Sequence, residues 1–457
     1  MDSTAACRYV PLRLVLVRHG LSSFNREHRI QGRDDLSTLT DDGAGQAKAV
    51  GISLADLPID AAYSSPLSRA RDTAALILEH QRSAPALERH DDLLEIDLSP
   101  WSGLLRTEVR DRFPEQERLW SEAPHTLELS RPDGSRYLPL PELMDQAGRF
   151  CTWLMDRHRE ALDGERQATV LVVAHNGILR CLLLSLLDLD ASRFRRLRLE
   201  NASISVLNLS GGGNGGRPAV QLESLNATAH LEQGLPRRVA GPRLLLVRHG
   251  ETDWNREGRF QGQIDIPLNS NGRTQAEAAR RFLTQIPIDR AYTSAMARPR
   301  QTAEAILSDH PGVPLTSTTG LVEIGHGLWE GRLEREIAEG WPELLNDWKE
   351  RPHTVQMPQG ETLHDVWQRS LDTWQRIAAG LEERETALVV AHDAVNKTIL
   401  CALLGLGPEA IWAIKQGNGG VTVIDYPDGA LGDPVVTCLN LTGHLGGVLD
   451  RTAAGAL

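Results

Sequence analysis

One pattern occurs twice in this chain, and it fixes the scale of the fold. A short apolar run ends in Arg-His-Gly at positions 14–20 and again at 244–250. The same landmarks then follow in the same order. An asparagine comes six residues after each histidine (Asn25, Asn255), then Gln31-Gly32 and Gln261-Gly262, then an arginine expected in a Ser-rich turn (Arg69, Arg298), then Ala-His pairs at His175 and His392. The offset between copies is 230 at His19/His249, 229 at Arg69/Arg298, 228 at Glu95/Glu323, 217 at His175/His392 and 214 at His230/His444. Units of this length are duplicated domains, not solenoid repeats. The offset falls mainly between Trp101 and His175, so the first copy carries about eleven extra residues there. The Pro-rich stretch Arg131–Pro141 is the expected site.

The repeat divides the 457 residues into an expected first domain at 1–232, a linker at 233–242 and a second domain at 243–457. The segment from Gln233 to Pro242 holds two prolines, two glycines and a basic pair, which reads as exposed linker. The glycine-rich Gly211–Gly216 is flanked by β-rich runs and reads as a hairpin turn instead.

Within each copy, apolar β-branched runs alternate with helical patterns. Strands are expected at Leu14–Val17, Ala61–Ser64, Val170–Ala174 and Ile204–Leu209, with counterparts at Leu244–Val247, Arg290–Thr293, Leu388–Ala391 and Val421–Asp425. Helices are expected at Asp42–Leu57 and Gly272–Gln285. Such alternation predicts two tandem three-layer α/β/α sandwich domains, each with a mainly parallel central sheet. Ligands of such sheets collect at the carboxyl ends of the strands, where His19 and His249 fall.

Composition narrows the partners. The net charge is −12 and the basic residues are scattered, which argues against nucleic acid and anionic membrane. Cys7, Cys151, Cys181, Cys401 and Cys438 show no Cys-x-x-Cys spacing and do not recur between copies, so they read as free thiols in a reducing compartment. With neither a signal-peptide pattern nor an 18-residue apolar stretch, the expected location is the cytoplasm.

The repeated residues suit phosphoryl transfer through histidine. An imidazole held as a donor through one nitrogen presents the other as a nucleophile, and a phosphohistidine splits one hard transfer into two easier ones. His19 and His249 are the candidates. Charge spreads over the phosphoryl oxygens in the transition state, so fixed cationic donors must surround it. Arg18, Arg69 and His175 suit that role in the first copy, and Arg248, Arg298 and His392 in the second. Backbone amides after each Arg-His-Gly are expected to add donors. Asn25 and Asn255 are expected to bind phosphate or tie the loop. No metal and no cofactor is required.

Both halves resemble the histidine phosphatase superfamily, also called phosphoglycerate mutase-like. The run Arg248-His249-Gly250-Glu251-Thr252-Asp253-Trp254-Asn255, followed by Gln261-Gly262, carries the resemblance most closely. It implies that Glu95 and Glu323 are the carboxyls that give a proton to the departing alkoxide and later take one from water. It also implies a phosphomonoesterase acting on a small phosphorylated metabolite. A mutase of the phosphoglycerate type is the first alternative, and a first domain serving as a phosphate-binding regulatory module is the second. Tandem copies with the variant Ala391–Lys397 are also similar to photosynthetic-lineage phosphatases assigned to carboxyarabinitol 1-phosphate.

The copies differ at Leu21 against Glu251, at Ser102 against Glu330, and at Pro141-Glu142-Leu143 against Gly360-Glu361-Thr362. These differences are expected to alter substrate fit. Asp393, Asn396 and Lys397 are expected to line a pocket for an anionic substrate. His230 and His444 read as structural hydrogen-bonding residues, His326 as a surface histidine or, alternatively, a substrate contact, and Trp341, Trp348, Trp367 and Trp374 as core.

Overall fold

The computed structural model describes residues 11–211, 216–231 and 234–453. The centre of the glycine-rich turn, Gln233 of the linker, and Cys7 lie outside the described residues. The chain forms two compact units, the first reaching Leu222 and including Asn226–Leu235, the second running on from Pro236.

In the first unit the strand order is Leu87–Arg89, Ala61–Ser64, Ala168–Ala174, Leu12–Arg18, then Ile204–Ser210. The first four are mutually parallel and Ile204–Ser210 joins antiparallel. Leu14 sits opposite Val170 on one side and Leu207 on the other. The second unit repeats the plan with Leu315–Thr318, Arg290–Ser294, Thr386–Ala391, Arg243–Arg248, Val421–Asp425 and Val435–Leu441. Every residue of Ala168–Ala174 and of Thr386–Ala391 is buried, which is why these strands read as unbroken apolar runs. The expected mainly parallel α/β class is what the chain adopts. The expected strands lie within one to two residues of the observed ends. The short outer strands at Leu87 and Leu315 escaped the pattern because half or more of their side chains face solvent.

Two helices follow the nucleophile loop and the second strand of each unit. Asp41–Leu54 starts where Thr40 accepts from Gly43 N, and Ser270–Leu283 where Asn269 accepts from Gly272 N. Both begin and end slightly before the expected bounds. Arg69 and Arg298 lie in the first turns of Ser68–Leu78 and Ala297–Leu307, so the serine-rich turn is already helix.

The eleven extra residues of the first copy divide between two places. Gln146 Nε2 binds the carbonyls of Asp92 and Leu94, and Arg369 Nη1 binds the equivalent carbonyls of Gly320 and Val322. Gln146 and Arg369 are therefore counterparts at an offset of 223, midway between 228 and 217. About half of the insertion is the hairpin Leu129–Ser130 with Arg136–Tyr137, and the rest follows helix Pro139–Arg157, where an extra turn Arg159–Leu162 forms. Glu142 pairs with Arg131 on the surface and is no counterpart of Glu361.

The linker reading also changes in detail. Pro236 is buried, its carbonyl accepts from Arg243 Nη1 at 3.1 Å, and Val239 N donates to Asp425 Oδ2 at 3.0 Å. Val239 and Ala240 are exposed, as the composition suggested.

Candidate active site

Each histidine of Arg-His-Gly stands at the carboxyl end of a central parallel strand, and the following glycine explains the tight bend. A Cβ at Gly20 would lie 2.4 Å from Gly43 O, and one at Gly250 would lie 2.4 Å from Gly272 O. Only glycine lets the loop cross the helix start so closely. His19 Nδ1 donates to Gly20 O at 2.7 Å, and His249 Nδ1 donates to Gly250 O at 2.7 Å. A carbonyl can only accept, so the proton sits on Nδ1 and Nε2 keeps its lone pair. Burial, with the neighbouring Arg69 and Arg18, lowers the His19 pKa well below the usual histidine value; burial, Arg298 and Arg248 do the same for His249.

The neighbouring strands bring the second histidine to each site. His19 and His175 lie edge to face with ring centroids 5.1 Å apart, and His249 and His392 repeat the arrangement at 5.1 Å. His175 Nε2 is 2.8 Å from Ser65 Oγ, and His392 Nε2 is 2.8 Å from Ser294 Oγ. Nδ1 of each has no protein partner among the described residues.

The arginines are buried and braced by carbonyls. Arg69 donates to Asp34 O and Gly32 O at 3.0 Å each. Arg298 donates to Ile264 O and Gly262 O at 3.1 and 2.9 Å. Gly32 and Gly262 supply the left-handed backbone (φ +58° and +55°) that presents those carbonyls. Arg18 Nη1 rests on Leu199 O and Arg248 Nη1 on Gln416 O. Burial lowers Arg18 and Arg298 to about 10, still charged at neutral pH. Thr73 and Thr302 accept from the Gly20 and Gly250 amides at 3.1 Å.

Those amides are therefore occupied within the protein, as are the next ones: Leu21 N donates to Gln46 and Glu251 N to Gln275. These four amides are therefore not free to serve as phosphate donors. Asn25 ties the loop, its Oδ1 accepting from Ser22 Oγ and Asn201 Nδ2, both at 3.1 Å. Asn255 does likewise with Thr252 and Asn418. Asn201 and Asn418 also hold the carbonyls of His19 and His249, at 3.0 and 3.2 Å. Sequence reading missed this pair, although the 217 offset carried past His392 would have found it.

Glu95 and Glu323 meet the helix that follows the second histidine. Glu95 accepts from the amides of Gly177 and Ile178, and Glu323 from that of Ala394. Burial and Asp393 push the Glu323 carboxyl above its usual range.

The differences between copies are largely internal bracing. Glu251 binds Arg256, Asn269 and Asn271, and Glu330 accepts from Gln263 N and His326 N. Asp393 pairs with Lys397 at 2.8 Å, and both are buried, as is Asn396. His326 is not on the surface: it is fully buried between Phe260 and Trp348. His230 and His444 bind the carbonyls of Ala202 and Gly419. Trp348 and Trp374 are core, whereas Trp341 and Trp367 are half-buried.

The family model of the histidine phosphatase superfamily (branch 1) matches residues 14–217 and 244–440. A 2-carboxy-D-arabinitol-1-phosphatase of Triticum aestivum is 30% identical over 95% of this chain and 86% of its own length. Phosphoserine phosphatase 1 of Hydrogenobacter thermophilus is 33% identical over 45% of this chain and 94% of its own. A 2,3-bisphosphoglycerate-dependent phosphoglycerate mutase 2 of Gloeobacter violaceus is 35% identical over 38% of this chain and 80% of its own. With both halves matched and the site built twice, the chain belongs to the histidine phosphatase superfamily.

Proposed function

We propose that each half is a complete phosphomonoesterase site that hydrolyses small phosphorylated metabolites through phosphohistidine. The observation that carries this reading is the paired imidazoles, 5.1 Å apart in both units, beside a buried arginine braced on the Gln-Gly carbonyl.

Nε2 of His19 or His249 attacks phosphorus as the bond to the ester oxygen breaks. Arg18 and Arg69, or Arg248 and Arg298, neutralise the equatorial oxygens, and His175 or His392 donates a hydrogen bond to them. Glu95 or Glu323 gives its proton to the departing alkoxide. Water then attacks phosphohistidine, passes a proton to the same carboxylate, and inorganic phosphate leaves with Nε2 free again. Asn25 and Asn255 shape the phosphate loop. The substrate class is a sugar phosphate or phospho-acid. The length of the match to the wheat enzyme makes 2-carboxy-D-arabinitol 1-phosphate the first candidate, with phosphoserine next. The described cysteines are all buried free thiols, which supports a cytoplasmic setting, and no helix among the described residues is long and apolar enough to cross a membrane.

The test is inorganic phosphate release from these esters and from p-nitrophenyl phosphate by the full chain, by His19→Ala, by His249→Ala and by the double variant. The reading requires each single variant to retain part of the activity and the double variant to lose it. Interconversion of 2- and 3-phosphoglycerate without phosphate release would favour the mutase alternative. Complete loss on every ester, the aryl phosphate included, in His249→Ala alone would make the first half a binding module.

A further inference from the structure

The two halves hold their carboxyls differently, and two residues account for it. Glu95 accepts three backbone N–H groups: Ile96 at 2.9 Å, Gly177 at 3.0 Å and Ile178 at 3.1 Å. Glu323 accepts from Ile324 at 3.0 Å and from Ala394 only at 3.4 Å. The reason is steric. A Cβ at Gly177 would lie 2.4 Å from Glu95 Oε1, so the alanine methyl at 394 displaces the carboxyl from the helix start.

The preceding residue changes as well. Asn176 is neutral, and its Oδ1 accepts from Arg180 Nε at 3.2 Å. Asp393 brings a second carboxylate to the same helix start, 4% exposed, 2.8 Å from Lys397 Nζ and 3.5 Å from Arg248 Nη1. The charged groups facing Glu323 are Asp393, Arg298 and Arg248, and Arg369 binds the Glu323 carbonyl. Burial and the Asp393 carboxylate outweigh the two arginines, which are themselves committed to carbonyls and Asp393.

Building on the proposed chemistry, we infer that Asp393 and Ala394 are positioning residues that make Glu323 a proton donor, and that the halves are thereby fitted to different leaving groups. The second half serves esters of aliphatic alcohols, whose poor alkoxide leaving groups require a proton as the P–O bond breaks. The first half, whose carboxyl accepts three backbone N–H groups, serves phosphates with acidic leaving groups, where activation of water matters more.

The experiment uses the full chain with His19→Ala, so that only the second half turns over. Phosphoserine and p-nitrophenyl phosphate are compared across pH 5 to 9, with and without Asp393→Asn plus Ala394→Gly. The exchange should move the alkaline limb of kcat for phosphoserine downward by about one pH unit, cutting kcat at pH 8 about tenfold, while the aryl ester changes less than about threefold. The mirror exchange, Asn176→Asp plus Gly177→Ala with His249→Ala, should move the limb upward in the first half. It keeps the inference testable should the first exchange unfold. Unmoved limbs in both would overturn the inference and leave the phosphatase reading intact. A His19→Ala chain that hydrolyses neither ester in a His249-dependent manner would bring down both.

Discussion

Arg298 donates from Nε to Nε2 of His249 at 3.2 Å. A guanidinium cannot accept, so this contact and the Nδ1 bond to Gly250 O together fix the imidazole tautomer that attack on phosphorus requires. The equivalent Nε of Arg69 has no partner among the described residues. On the proposed chemistry the same arginine both orients the nucleophile and receives the phosphoryl oxygens.

That double role makes charge alone insufficient. Arg298→Lys keeps a cation but loses the planar fork that spans Gly262 O, Ile264 O and His249. In a chain already carrying His19→Ala, it should lower kcat about 100-fold with little change in melting temperature. Steady-state rates set beside a thermal melt decide it, and a loss under about fivefold would contradict the assignment.

Buried neutral histidines make the fold acid-sensitive, with a definite sign. His326 has both ring nitrogens buried without partners among the described residues, and burial lowers it from 6.5 to about 3. Below pH 6.5 the unfolded chain takes up a proton that the folded one refuses, so stability is full above 6.5 and falls as pH drops. This residue alone costs about 2 kcal/mol by pH 5. His326→Phe should add about 1 kcal/mol at pH 7 by removing unsatisfied polar atoms, and should flatten the decline between pH 7 and 5. Urea unfolding at the two pH values measures both effects. An unchanged slope would place the acid sensitivity elsewhere.

The second unit rests on a buried ion pair. Arg243 meets Asp425 through two bonds of 2.6 and 2.9 Å, both side chains nearly inaccessible, and Thr437 and Val239 complete the shell of Asp425. Asp425→Ala leaves the guanidinium buried and unpaired, and should cost the unit about 3 to 5 kcal/mol. A denaturation midpoint within error of the parent would contradict this.

The chemistry was more legible in the sequence than its supports. Phosphoryl transfer dictates residue types, so Arg18, His19, Arg69 and His175 stand out at matched spacing, and the structure brings them together. The supports are different because several residue types can do the same job. In the first unit Arg33 binds Glu95 O while Gln146 binds Asp92 O and Leu94 O. In the second, Gln263 occupies the Arg33 place and Arg369 the Gln146 place, and both reach Glu323 O. The arginine and the glutamine have changed sides of the same gap, an exchange invisible to residue-by-residue matching. His326 deceived in another way: histidine composition suggests surface, and only packing against Phe260 and Trp348 reveals the core.

The proposed chemistry passes through a transient bond between phosphorus and one imidazole of each unit. Rapid quenching of the full chain with a labelled phosphate ester, followed by peptide mapping, tests it directly. An acid-labile, base-stable label on His19 and His249, absent from the His19→Ala/His249→Ala chain, is the outcome this account predicts. Label on a hydroxyl or carboxylate side chain, or label that survives loss of both histidines, would contradict it.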